Sequence, residues 1–141
     1  MPSPDDVELA GLLSYLERRL SDRLTRRLAE AGSSLNEWRV LAQLVNGGGS
    51  AMRDVATSLD IPASTATKLI DAMVATNLVY RRGDEHDGRR VLVHLAPRGR
   101  VAYDRLTPLI HAEQQELTAL TDDGDLEQLT RILTRLSRQV S

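Results

Sequence analysis

This sequence of 141 residues contains no cysteine and no phenylalanine. The first absence excludes a disulfide framework, a thiolate metal site and a thiol redox sensor. The second leaves Trp38, Tyr15, Tyr80 and Tyr103 as the aromatic residues, so a pocket built on aromatic rings has little to draw on. No run approaches the ~18 apolar residues that span a bilayer, and "MPSPDD" has no basic region followed by an apolar core and a cleavage site. The expected location is the cytoplasm. Enzyme signatures are missing as well. "NGGGSA" lacks the lysine and spacing of a phosphate-binding loop, and no serine sits in Gly-x-Ser-x-Gly. His86, His94 and His111 fall in a loop, a strand and a helix with no local partner motif. Neither catalysis nor a cofactor is expected.

The formal net charge of −2 conceals an uneven distribution. Residues 1–50 carry 6 basic and 7 acidic groups, 51–100 carry 8 and 6, and 101–141 carry 4 and 7, giving −1, +2 and −3. Only the middle is positive. An acidic body with one basic region still binds DNA through that region.

Pro4 after Ser3 predicts a helix start, and Leu9, Leu12, Leu13, Leu16, Leu20, Leu24 and Leu28 repeat at helical spacing to a stop near Gly32. Ser34 and Glu37 have capping-box spacing, which opens a second helix through "NEWRVLAQLV" that ends at Gly47, Gly48 and Gly49. "AMRDVATSL" places Met52, Val55, Ala56 and Leu59 on one face. After a break at Asp60, Ile61 and Pro62, "ASTATKLIDAMVATN" turns Ala66, Leu69, Ile70 and Met73 inward, with Asn77 suited to a left-handed helix end. Two short helices around a three-residue break form a helix-turn-helix pattern. "LVYRR" and "VLVHL" then change to period two, giving a hairpin with a long tip. Pro97 and Gly99 end it, and a helix through "RVAYDRLTPLIHAEQQELTAL" follows, with Pro108 expected to kink it or leave a carbonyl unpaired. A last helix carries Leu126, Leu129, Leu133, Leu136 and Val140, capped by Thr121 or Asp122. The fold class is mainly α with a small β-hairpin wing. The terminal leucines fit either an intrachain core or a dimer in which helices of two chains interlock.

The acid cluster Asp84, Glu85, His86 and Asp87 lies between two arginine pairs. Read as a calcium loop from Asp84, it has His86, Gly88, Arg89 and Leu95 where oxygen ligands, glycine and glutamate are required, and four arginines oppose a cation. No metal is expected. DNA suits the region better. A recognition helix at about 62–76 presents Ser64, Thr65, Thr67 and Lys68 opposite its buried stripe. These offer hydroxyls, methyls and one cation to thymine methyls, phosphates and single hydrogen bonds. A solvated helix face would account for those four alone, but the wing at about 78–96 changes the balance. Arg82, Arg89 and Arg90 stand where a wing meets the backbone and minor groove, and Arg53 precedes them on the third helix. The acids fit this picture if one of them holds an arginine.

"SLNEWRVLAQL", "MRDVATSLDIPASTATKLIDAMVATNLVYRR" and "DGRRVLVHLAPRG" together resemble the multiple antibiotic resistance regulator (MarR) family of bacterial winged helix-turn-helix transcription factors. The resemblance covers nearly the whole chain. It implies one domain, residues 1–141, in which 1–31 and 97–141 form a helical dimerisation region and 34–96 a DNA-binding lobe. It further implies that Asp87 braces Arg89, that Arg89 enters the minor groove, and that the protein is a homodimeric repressor on a pseudo-palindromic operator in double-stranded DNA. Half-sites would lie about 34 Å apart. Relatives often bind small aromatic acids, so an effector of unassigned identity is an expected partner. Pro62, Asn77 and Ala96 depart from the family's usual polar cap, glycine and hydroxyl residue, and Trp38 is expected to be structural. The alternative reading is a winged-helix module for protein contacts without sequence-specific DNA binding.

Overall fold

The computed structural model describes residues 4–141. Ser3, expected to precede the first helix, lies outside them. Pro4–Asp6 makes a single 3-10 turn, and α1 runs Leu9–Glu30, later than Pro4 had implied. Glu8 sets the start, because its carboxylate accepts from the amides of Ala10 and Gly11 at 2.8 and 2.9 Å. At the other end Gly32 is left-handed (φ 74°), and the Ser33 amide donates to Leu28 O.

Ser34 caps α2 (Leu35–Leu44) by accepting from Glu37 N at 3.2 Å. The reciprocal half of the expected box is different, since the Glu37 carboxylate takes the Ser33 hydroxyl at 2.7 Å. Three left-handed glycines, Gly47 to Gly49, then lead into a strand that the sequence reading lacked, β1 (Ser50–Ala51). Two residues are too few to show alternation, and pairing with a distant strand defines them.

Helices α3 (Met52–Leu59) and α4 (Ala63–Ala75) flank left-handed Asp60 (φ 53°), and Pro62 enters α4 without a side-chain cap. Asn77 (φ 61°) ends α4 in the expected left-handed conformation, with Leu78 N donating to Met73 O at 2.9 Å. The hairpin is β2 (Val79–Gly83) with β3 (Val91–Leu95), in register Val79 to Leu95 and Arg81 to Val93. β1 adds to the other edge of β3, giving the sheet order β1-β3-β2. Leu28, Val40, Leu41, Leu44, Val55, Ala66, Ile70, Met73, Val79, Val93 and Leu106 bury together beneath these elements.

α5 (Pro97–Ala119) begins at Pro97, not after Gly99. Proline at the first helical position loses no needed donor, so it starts this helix as well as ending the strand. Gly99 lies in the first turn because a Cβ there would stand 2.0 Å from Leu78 O, the carbonyl that accepts from Ala96 N at 3.0 Å. α5 continues through Pro108, which has no amide for the Asp104 carbonyl. The described residues divide at this point into two compact units, one up to Thr107 and one from Pro108. In the second, α6 (Asp125–Gln139) is capped by Gly124 (φ 82°) rather than by Thr121 or Asp122. Thr121 serves the end of α5 instead, donating its hydroxyl to Thr118 O at 3.1 Å, while Asp125 accepts from Asp122 N.

Gly99→Ala should lower stability by about 1–3 kcal/mol through overpacking. Gly83→Ala, where added atoms meet open space, should change it by less than about 0.5 kcal/mol. Urea denaturation midpoints check the pair.

Candidate nucleic-acid interface

With Ala66, Ile70 and Met73 buried, α4 turns Ser64, Thr65, Thr67 and Lys68 to solvent. Their chemistry differs. Thr67 donates its hydroxyl to Ala63 O at 3.0 Å, which leaves its methyl outermost. Ser64, Thr65 and Lys68 keep their polar groups free. Arg53 and Thr67 line one cleft of about 620 Å³ between α3 and α4, with Thr57, Asp60 and Ile61. That cleft brings Arg53 beside the exposed start of α4.

The wing sorts its charged residues into two sets. Arg81 Nη2 pairs with Asp71 Oδ1 of α4, and Arg82 Nη2 with Glu85 Oε1 at 3.1 Å. Arg89 and Arg90 are exposed, and among the described residues their guanidinium groups have no partner. The tip between them is closed by the main chain: Asp84 N donates to Arg90 O, and Arg90 N to Asp87 O, both at 2.9 Å. Two aspartates complete it as side-chain turns, Asp84 accepting from His86 N at 3.0 Å and Asp87 from Arg89 N at 3.1 Å.

Asp87 therefore meets Arg89 at the backbone amide rather than at the guanidinium. Asp84 and Glu85 each hold part of the wing as well. Arg82 is engaged, but in a pair exposed by 60 and 75%, and such pairs contribute about 0–1 kcal/mol, so the pair is easily broken. Tyr80 and His94 stack across the strands at 5.3 Å, and Gly49 lies against the His94 ring. Among the described residues no group of three or more His, Asp or Glu side chains is arranged to hold a metal ion.

Residues 31–90, which span α2 to the wing tip, match the MarR family model. Over that stretch the chain is similar to the MarR family. Relatives extend the likeness over most of the length. A Thauera aromatica protein named for transcriptional regulation of the hcr operon is 25% identical over 138 residues, 94% of this chain and 83% of that one. Among solved structures, BpsR of Bordetella bronchiseptica, described as regulated in DNA binding by 6-hydroxynicotinic acid, superposes with a TM-score of 0.81 at 21% identity, covering 97 and 98% of the two chains. CouR of Rhodococcus jostii, a transcriptional repressor solved on a 23-mer DNA duplex, gives 0.81 at 21% identity and 92% of each chain.

Beside this winged helix-turn-helix lobe, within the same unit, lies a cavity of about 320 Å³. Leu41, Leu78, Val101, Ala102 and Leu106 give it apolar lining, and Arg98 and Arg105 stand at it. Arg105 donates to Ala31 O at 2.8 Å, and Arg98 is exposed. No aromatic ring lines it. Trp38 is turned to structure, as expected, donating to Thr107 Oγ1 at 3.1 Å and stacking with Tyr103 at 6.4 Å.

Asp87→Ala should loosen the tip: hydrogen exchange at the Arg89 amide rises, while exchange in α4 stays unchanged.

Proposed function

We propose that the protein is a homodimeric, sequence-specific DNA-binding regulator, a cytoplasmic repressor of transcription without enzymatic activity that a small-molecule effector releases from a pseudo-palindromic operator. The observation that carries this reading is the division of polar groups on one lobe. Ser64, Thr65 and Lys68 on α4 and Arg89 and Arg90 on the wing are exposed and unspent, whereas Thr67, Arg81 and Arg82 beside them are paired within the chain. Hydroxyls and methyls on a helix suit base edges in a major groove, and unpaired arginines suit the negative potential of a narrow minor groove. Arg53 and Lys68 are assigned to phosphates, as is Arg82 once freed from Glu85. The DNA complex of CouR and the regulation of BpsR by 6-hydroxynicotinic acid support the same assignment for a chain of the same fold.

Dimerisation is supported by apolar surface left uncovered in one chain. α1 exposes Leu9, Leu12, Tyr15 and Leu16, and α6, which buries no residue, exposes Leu129, Ile132 and Leu136. Two adjacent recognition helices then fall about 34 Å apart, one turn of the duplex. Among the described residues no helix is long and apolar enough to cross a membrane.

Fluorescence anisotropy with the DNA upstream of the protein's own gene, against a random duplex, tests the reading. Arg89→Ala should weaken specific binding by ~1–3 kcal/mol, and Lys68→Ala should lower the salt slope by about one. A protein that binds no duplex at low salt overturns the proposal in favour of a protein-contact module. Elution at the 15.6 kDa of one chain overturns the dimer.

A further inference from the structure

We infer that Asp71 is a positioning residue for the wing: its pair with Arg81 fixes where the hairpin stands relative to α4, and so where Arg89 and Arg90 meet DNA. The inference rests on the DNA-binding reading above.

The burial of the hairpin makes such a tie necessary. Val79 and Val93 are 2 and 0% exposed, and Arg81 is the register partner of Val93. Past that level the hairpin has no buried side chain: Arg82 and Gly83 are exposed, Leu92 is half-buried and Val91 is 48% exposed. β1 pairs only with Val93 and Leu92, so it supports the root and not the tip. Asp84 and the rest of the tip stand three or more residues beyond Arg81, about 10 Å at the rise of a strand. On that arm a tilt of roughly 15° moves the tip by ~2.5 Å, enough to break a hydrogen bond at its end. The Asp71–Arg81 pair holds the hairpin where core contact stops. Arg81 is also the more enclosed of the two paired arginines, its side chain 32% exposed against 60% for Arg82.

Asp71 has a second reason to be paired. Ser64, Lys68 and Asp71 are spaced i, i+4, i+7 along one face of α4. A lone carboxylate on the stripe assigned to DNA would repel phosphate, and Arg81 neutralises it. The two roles predict different outcomes for the operator-to-random ratio. If Asp71 matters only as a negative charge, Asp71→Asn tightens operator and random duplex alike. If it positions the wing, random-duplex affinity rises while the operator-to-random ratio falls, by roughly fivefold for an exposed pair.

The ratio is read by anisotropy for the full chain, Asp71→Asn, and the charge swap Asp71→Arg with Arg81→Asp, which should recover most of the loss. A readout without DNA accompanies it. Because the chain has no cysteine, Ser58→Cys and His86→Cys accept two nitroxides, on α3 and at the tip. The interlabel distance distribution should broaden in Asp71→Asn and narrow again in the swap. An unchanged distribution overturns the inference, as does a broadened one with an unchanged ratio. A wild-type protein that prefers no duplex overturns the regulator reading itself, a failure distinguishable from the other two.

Discussion

Val79 and Val93, both essentially closed to solvent, hold the root of the hairpin against the helices, and no hairpin side chain beyond them is buried. The surrounding structure serves that anchor. Asn77 turns the chain out of α4 immediately before Val79, and the Leu78 carbonyl accepts from Ala96 N on the returning strand. Gly99, without a side chain, lets the first turn of α5 lie on that carbonyl. β1, short as it is, covers the outer edge of β3 at Val93. One pair of buried valines thus ties the end of α4, the start of α5 and the loop after α2 to a single point from which the wing projects.

Charge takes over where burial ends. Seven basic and four acidic residues lie from Lys68 to Arg100, and each of the four acids is bound to the wing: Asp71 of α4 to Arg81, Glu85 to Arg82, Asp84 and Asp87 to amides of the tip. The effect is selective. Acids that would repel a polyanion are occupied, while Arg89 and Arg90 stay uncompensated at the outer end. The weak overall charge of −2 is therefore a poor guide to the local field, which depends on the order of acids and arginines along a few residues.

Much of the fold was legible because periodicity, caps and breaks agree. Ala66, Ile70 and Met73 repeat at helical spacing and are buried; Asn77 is left-handed; "LVYRR" and "VLVHL" pair as strands. The errors share a cause. β1 exists through its partner on β3, Thr121 is used by α5 before α6 can claim it, and Gly99 looks like a helix breaker until the Leu78 carbonyl above it is known. In each, a contact distant in sequence or a competing neighbour decides the outcome. The same applies to the site. The exposed residues of α4 follow from its buried stripe, and a link between Asp87 and Arg89 follows from a motif two residues wide, although its atoms are main chain. The Asp71–Arg81 pair joins a helix to a strand ten residues on, a register that period alone does not supply.

The closed tip has an energetic consequence for anything that binds it. Fixing one residue's backbone costs roughly 1–2 kcal/mol in conformational entropy, a sum that a floppy seven-residue loop would forfeit on meeting its partner. From Asp84 to Arg90 that ordering is already done within the fold, by two main-chain bonds and two aspartate turns. What remains to be stilled is the pair of arginine side chains, each carrying about 2 kcal/mol of rotamer freedom. A partner docking on the wing would meet a preformed edge, with the remaining freedom confined to the two arginine side chains.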